Sequence, residues 1–143
     1  MKAYTAHGLK FPAAKQAGLA MLGGDDIFCT FRGQPLRGHF WPAHLPIPSG
    51  YEKDSKGLVI LCPGFTEFCE KYSSTCKALH ERSYDVLIID WPGHGTSGHL
   101  GSHPLAVHID SFETYLEAME HLLAETGLAS RTDVILFGHS MGG

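Results

Sequence analysis

The stretch VILFGHSMGG, Val134 to Gly143, decides how this chain is read. Four apolar residues run straight into Gly138-His139-Ser140-Met141-Gly142, a G-x-S-x-G. The bare pattern is common, but its setting is specific. A buried strand that breaks at once into a helical turn lifts the serine Oγ clear of the sheet on a sharp, strained bend. Glycines two residues before and after the serine remove Cβ atoms that would collide with neighbouring backbone. A phosphate-binding strand–helix turn would instead need G-x-G-x-x-G, which the sequence lacks.

Working outward, two more short apolar runs match the one at 133–137: LVILC at 58–62 and DVLIID at 85–90. Rich in Val, Ile and Leu without polar alternation, all three read as parallel strands buried on both faces. Between the first two lies TEFCEKYSSTCKALHER, residues 66–82. Phe68, Tyr72, Cys76 and Leu79 recur there at helical spacing, with Thr66 as the expected cap and Glu67 and Glu70 suited to the positive end of the helix dipole. Before the third run, IDSFETYLEAMEHLLAETG places Ile109, Phe112, Leu116, Met119 and Leu123 on one stripe, and Gly127 ends the helix. Strand–helix–strand–helix–strand predicts an α/β fold with right-handed crossovers. Upstream, DIFCTFRG alternates Ile27, Cys29 and Phe31 against Phe28, Thr30 and Arg32, and LRGHFWPA follows Gly33-Gln34-Pro35, so the pair reads as a hairpin. Residues 44–57 form a Pro/Gly/charge-rich loop, and residues 1–24 an irregular extension ahead of the domain at 25–143.

Composition excludes several classes. With 143 residues, 43% hydrophobic and 18% charged, the chain is an ordinary globular domain. Its net charge of −4 comes without a Lys/Arg cluster, so nucleic acid is not an expected partner. Cys29, Cys62, Cys69 and Cys76 contain no CxxC and read as reduced core thiols, which favours a cytoplasmic setting. The apolar AGLAML after three lysines is too short for a signal peptide and lacks a cleavage pattern, and no window reaches membrane-spanning length. His94, His99, His103 and His108 lie 5, 4 and 5 residues apart in a Gly/Pro-rich loop, without the carboxylate or cysteine that a metal site needs. Asp90 and Ser97 read as a strand end and a loop residue.

GHSMGG, DWPGHGTSG and LCPGFTEFCEKY together resemble the α/β-hydrolase fold. Within it, the chain is similar to the lysophospholipase/monoacylglycerol-lipase group of serine hydrolases, also labelled serine-aminopeptidase-like, and to bacterial lysophospholipases of the L2 type. The resemblance runs from Asp25 to Gly143 and implies the N-terminal half of that fold. It implies Ser140 as the nucleophile of an ester hydrolase, with the backbone N–H groups of Phe65 and Met141 as the oxyanion hole. Pro63 stands where many relatives have His, which leaves the Phe65 N–H free. The substrate would be a small lipid ester, with peripheral membrane contact compatible with it. No metal and no organic cofactor is implied.

In this fold the acid and the base follow the serine in chain order. All ten histidines precede Ser140, and His139 is expected to point away from its Oγ. The expectation is therefore an incomplete, inactive chain of 143 residues. Two other readings stay open: a non-catalytic binding protein, and a peptidase or acyltransferase on the same scaffold. A serine at the elbow argues against the epoxide hydrolases and dehalogenases of this fold, which use Asp there.

Overall fold

The computed structural model describes residues 23–43, 55–103 and 107–143. Most of the expected N-terminal extension and of the 44–57 loop lies outside them. The described elements are β1 (Asp25–Phe31), β2 (Gln34–Trp41), β3 (Leu58–Cys62), α1 (Ser73–His80), β4 (Asp85–Asp90), α2 (Glu113–Glu125) and β5 (Val134–Gly138), with 3-10 turns at Cys69–Tyr72, Leu128–Ser130 and Ser140–Gly142.

The strands form one sheet in the order β1-β2-β4-β3-β5. β1 and β2 are an antiparallel hairpin in which Ile27, Cys29 and Phe31 share a core-facing side. Its turn is Arg32-Gly33 rather than Gly33-Gln34-Pro35, and Pro35 pairs with Thr30 inside the strand. Both turn residues have positive φ, 47° and 77°, as a two-residue loop matching the strand twist requires. Proline cannot adopt that conformation.

β3 pairs in parallel with β4 on one side and β5 on the other. The crossover through α1 leads away from β3 in one direction, and that through α2 returns across β3 in the other. Connections of one hand that run in opposite directions set their helices on opposite faces. Two cores result. Leu58, Ile60, Leu87 and Ile89 face α2, while Leu61, Val86 and Ile88 pack with Cys69 and Cys76. Each of these buried Leu and Ile side chains stabilises the fold by about 1.5–3 kcal/mol. All four cysteines are free, and burial pushes the Cys62 thiol up to about 11.

Three expectations are corrected. The helix expected from residue 66 starts as a 3-10 turn at Cys69 and becomes α-helical only at Ser73. Thr66 does not cap it: its φ is +62°, and its hydroxyl donates to the Phe65 carbonyl. The buried face of α2 matches the expected stripe only in part: Ile109, Met119 and Leu123 pack against the core. Thr114, Tyr115, Ala118 and Leu122 are buried, whereas Phe112 and Leu116 are 69% and 65% exposed. Leu122 fills the space left beside Gly38 of β2, where a Cβ would sit 2.8 Å from Leu122 Cδ2. Gly127 does end the α2 segment, in the left-handed conformation at φ 71°. Third, β5 is not buried on both faces. Among the described residues it is the sheet edge, and Leu136 is 71% exposed.

An apolar edge strand is a template for pairing between chains. The 143-residue chain is therefore expected to self-associate, and Leu136→Lys to shift it toward monomer. Size-exclusion chromatography across a concentration series checks this; an unmodified chain that elutes as a monomer throughout contradicts it.

Candidate active site

β3 lies where the sheet reverses its direction of growth, and the crevice beyond the carboxyl ends of strands at such a point is the usual ligand site of open α/β sheets. Two turns emerge there side by side, one after β3 and one after β5.

The turn after β5 has the anticipated geometry. His139 is extended, and Ser140 takes φ +55°, a left-handed conformation costly for a residue with a Cβ. The chain then closes a 3-10 turn through Gly142 N–H to His139 O at 3.0 Å and Gly143 N–H to Ser140 O at 3.1 Å. Both flanking glycines are sterically required. A Cβ on Gly138 would lie 2.4 Å from the Gly142 carbonyl oxygen, and one on Gly142 would lie 2.1 Å from that of Cys62.

The turn after β3 packs against this bend. His139 N–H donates to Cys62 O at 3.1 Å, and a Cβ on Gly64 would come within 3.1 Å of Ser140 Cβ. Sequence reading did not foresee this contact of Gly64, because the close approach comes from another strand. Buried Trp91 ties the turn down by donating from Nε1 to Pro63 O at 2.8 Å. Phe65, 55% exposed, meets the buried His94 ring edge-to-face at 5.6 Å. The tight-turn bond uses Glu67 N–H to Gly64 O, and the elbow's bonds use Gly142 and Gly143. Neither consumes the N–H of Phe65 or of Met141.

Glu67 is the residue the sequence reading misplaced. It does not decorate a helix end. It is buried, and its Oε2 accepts from Gly64 N–H at 2.7 Å, from the Tyr72 hydroxyl, and from His139 Nδ1 at 3.0 Å. Its Oε1 accepts from Lys71 Nζ at 2.6 Å. The hydrogen bonds from Lys71, Tyr72 and His139 hold its carboxyl well below the usual carboxylate range. Burial and that carboxylate push the Tyr72 phenol up to about 12, so it remains a donor. His139 thus turns toward Glu67, and among the described residues Ser140 Oγ has no histidine partner.

Glu70 is likewise committed, to Arg37 at 2.7 Å. Arg37 also binds Asp26 and Asp90, and Asp90 receives Cys69 N–H at 2.7 Å and Thr96 N–H at 2.9 Å. Ser97 bridges the same region, its hydroxyl donating to Asp90 O and accepting from Arg37 N–H. Asp90 and Ser97 are therefore the frame of the 91–98 loop. Among the described residues, no three His, Cys, Asp or Glu side chains gather as metal ligands, and no helix is long and apolar enough to cross a membrane.

Comparison with known proteins agrees with this geometry. Over 87 residues the chain is 33% identical to lysophospholipase L2 of Escherichia coli, a match covering 60% of this chain and 26% of that protein. It thus spans about a quarter of the length of the curated relatives it matches. Among solved structures, the thioesterase domain from the curacin biosynthetic pathway superposes with a TM-score of 0.64 at 25% identity, over 85% of this chain and 37% of that one. A soluble variant of monoglyceride lipase from Saccharomyces cerevisiae has a TM-score of 0.64 at 20% identity, over 92% of this chain and 40% of that one. These neighbours share the α/β-hydrolase fold, of which the chain holds an N-terminal part. The model of the family described as serine aminopeptidase, S33 matches residues 53–143, well over half the chain. The chain belongs to that family of α/β-hydrolases.

Proposed function

We propose that the chain carries the nucleophile and oxyanion hole of a serine ester hydrolase acting on single-chain lipid esters, of the lysophospholipase type. The observation that carries this is the left-handed Ser140, seated between two sterically required glycines and against the Pro63–Phe65 turn. Ser140 Oγ attacks the ester carbonyl, and the oxygen that becomes negative is held by the N–H groups of Phe65 and Met141. Collapse breaks the C–O bond to the alcohol, which leaves with the serine's proton delivered through a general base. Water then attacks the acyl-serine and releases the fatty acid. A serine hydroxyl needs such a base at neutral pH. In this fold the base and its carboxylate partner come later in the chain than the nucleophile, so the 143 residues alone are proposed to be inert.

The family's description also raises a peptidase reading. An aminopeptidase needs a carboxylate to hold the substrate's free amine, and the carboxylates nearest the oxyanion turn in sequence are Glu67 and Glu70. Both are taken, by Gly64, Lys71, Tyr72 and His139 in one case and by Arg37 in the other. That favours esters. The reading brings a cytoplasmic setting, in keeping with four free thiols, with contact at membrane surfaces where such lipids reside. It also divides the chain at residue 25, where β1 begins, into extension and domain.

These outcomes are expected. With p-nitrophenyl butyrate, the 143-residue chain turns over no faster than its Ser140→Ala variant; serine-dependent hydrolysis by the 143 residues contradicts their proposed inertness. In the full-length protein, Ser140→Ala abolishes fluorophosphonate labelling while leaving the melting transition in place. Phe65→Pro, checked for folding, keeps the nucleophile but lowers kcat by about 10²–10³-fold through loss of one oxyanion donor; an unchanged kcat would remove Phe65 from the oxyanion hole. Finally, kcat/KM measured in competition is higher for a lysophospholipid than for aminoacyl amides. The reverse order would move the protein to the peptidase branch.

A further inference from the structure

We propose that Glu67 is the positioning residue of this site, a single carboxylate that sets the two oxyanion donors at their working separation. The inference rests on the reading of Ser140, Phe65 and Met141 given above. It starts from which residues Glu67 grips. Gly64 immediately precedes Phe65, and His139 immediately precedes Ser140. One oxygen, Oε2, accepts from both, at 2.7 Å from the Gly64 N–H and 3.0 Å from the His139 imidazole.

The two donors belong to turns after different strands, and the Glu67–His139 contact between those turns joins residues 72 apart along the chain. Their direct tie is one backbone bond, His139 N–H to Cys62 O at 3.1 Å, at the base of both turns. Glu67 supplies a second tie higher up. Two points of attachment define an orientation where one permits rocking.

Several features fit this role better than a purely local one. A carboxylate only accepts hydrogen bonds, so His139 must carry its proton on Nδ1, which fixes the imidazole's tautomer and its facing. Tyr72 donates to the same oxygen and lies against the His139 ring at 6.4 Å, backing it from the side of the helix. Lys71 engages the other oxygen, and bonds to an ionised acceptor are stronger and more directional than neutral ones. Preorganised donors also need to be held within about 0.5 Å of the productive geometry to stabilise a developing charge. Glu67 touches no reacting atom in this scheme; it acts through the backbone at Gly64 and the ring at His139.

The test is a double-variant cycle in the full-length protein, with Glu67→Gln, His139→Leu and the pair. Glu67→Gln is expected to lower kcat by about 10²-fold, the cost of a small misplacement at the reacting centre, and to change KM by less than about threefold, as for an interaction used in the transition state. The pair should be no slower than the worse single variant, because both changes break one linkage. Amide hydrogen exchange gives a readout independent of turnover: Glu67→Gln speeds exchange at 64–67 and also at 139–142. A local role in the 3-10 turn would loosen 64–72 and leave 139–142 unchanged. Unchanged exchange at 139–142, or losses in kcat that multiply in the pair, would overturn the proposal. Where Glu67→Gln does not fold, Tyr72→Phe removes one donor and is read by the same exchange criterion. If the wild-type serine failed to label with a fluorophosphonate, the functional reading would fall, while the exchange at 139–142 would still decide the role of Glu67.

Discussion

The parallel ladder between β3 and β5 brings Cys62 opposite Gly138, so both strands end at the same level of the sheet. The bend at Ser140 and its packing on the turn after β3 depend on that register. Had β5 slipped by one residue, its side chains would have exchanged faces and Ser140 would no longer stand beside Gly64. The ladder continues into the turns through His139 N–H to Cys62 O. The near contact between Gly142 and that same carbonyl leaves no room for any other side chain there. The carbonyl oxygen of Cys62 therefore anchors the base of the bend after β5 against the turn after β3.

The rest of the molecule holds this arrangement from two sides. Beneath the sheet, α2 packs its Tyr115, Ala118 and Leu122 against Leu58, Ile60 and Leu87. On the other face Cys69, Cys76 and Leu79 cover Leu61 and Ile88. At the ends of the strands, polar groups take over. Arg37 reaches from the hairpin to Asp90 and Glu70, which fastens β2, the end of β4 and the 3-10 turn at Cys69 to one another. Burying such charges is costly unless each is paired and hydrogen-bonded, and here each one is. The apolar faces place the helices, and the buried ionic groups set the loops that rise above the sheet.

Much of this was legible in residue order. The runs at 58–62 and 85–90 contain nothing polar inside them, so only a doubly covered strand suits them, and both are fully buried. The run before the serine is a strand at 134–138, one residue later than its sequence boundary suggests. The elbow was legible because its demands are local: a positive φ at Ser140 and missing Cβ atoms two residues to either side. Gly127 was legible for the same reason, since a left-handed residue at a helix end favours glycine.

What residue order alone determined about this protein, then, is what neighbours in the chain decide: strands from apolar runs, turns from glycines, and the serine bend from both. What only the tertiary structure decided is which partners arrive from elsewhere. Phe112 and Leu116 are as apolar as Tyr115 and Leu122, yet they face outward, while Leu122 fills the space beside Gly38 on β2. Glu67 has the spacing of a helix-start acid, yet it meets Gly64 and His139, the latter just after β5 and 72 residues away along the chain. Helical periodicity and the dipole act over a few residues, whereas the pairing of a buried carboxylate depends on which donors the fold brings within about 3 Å.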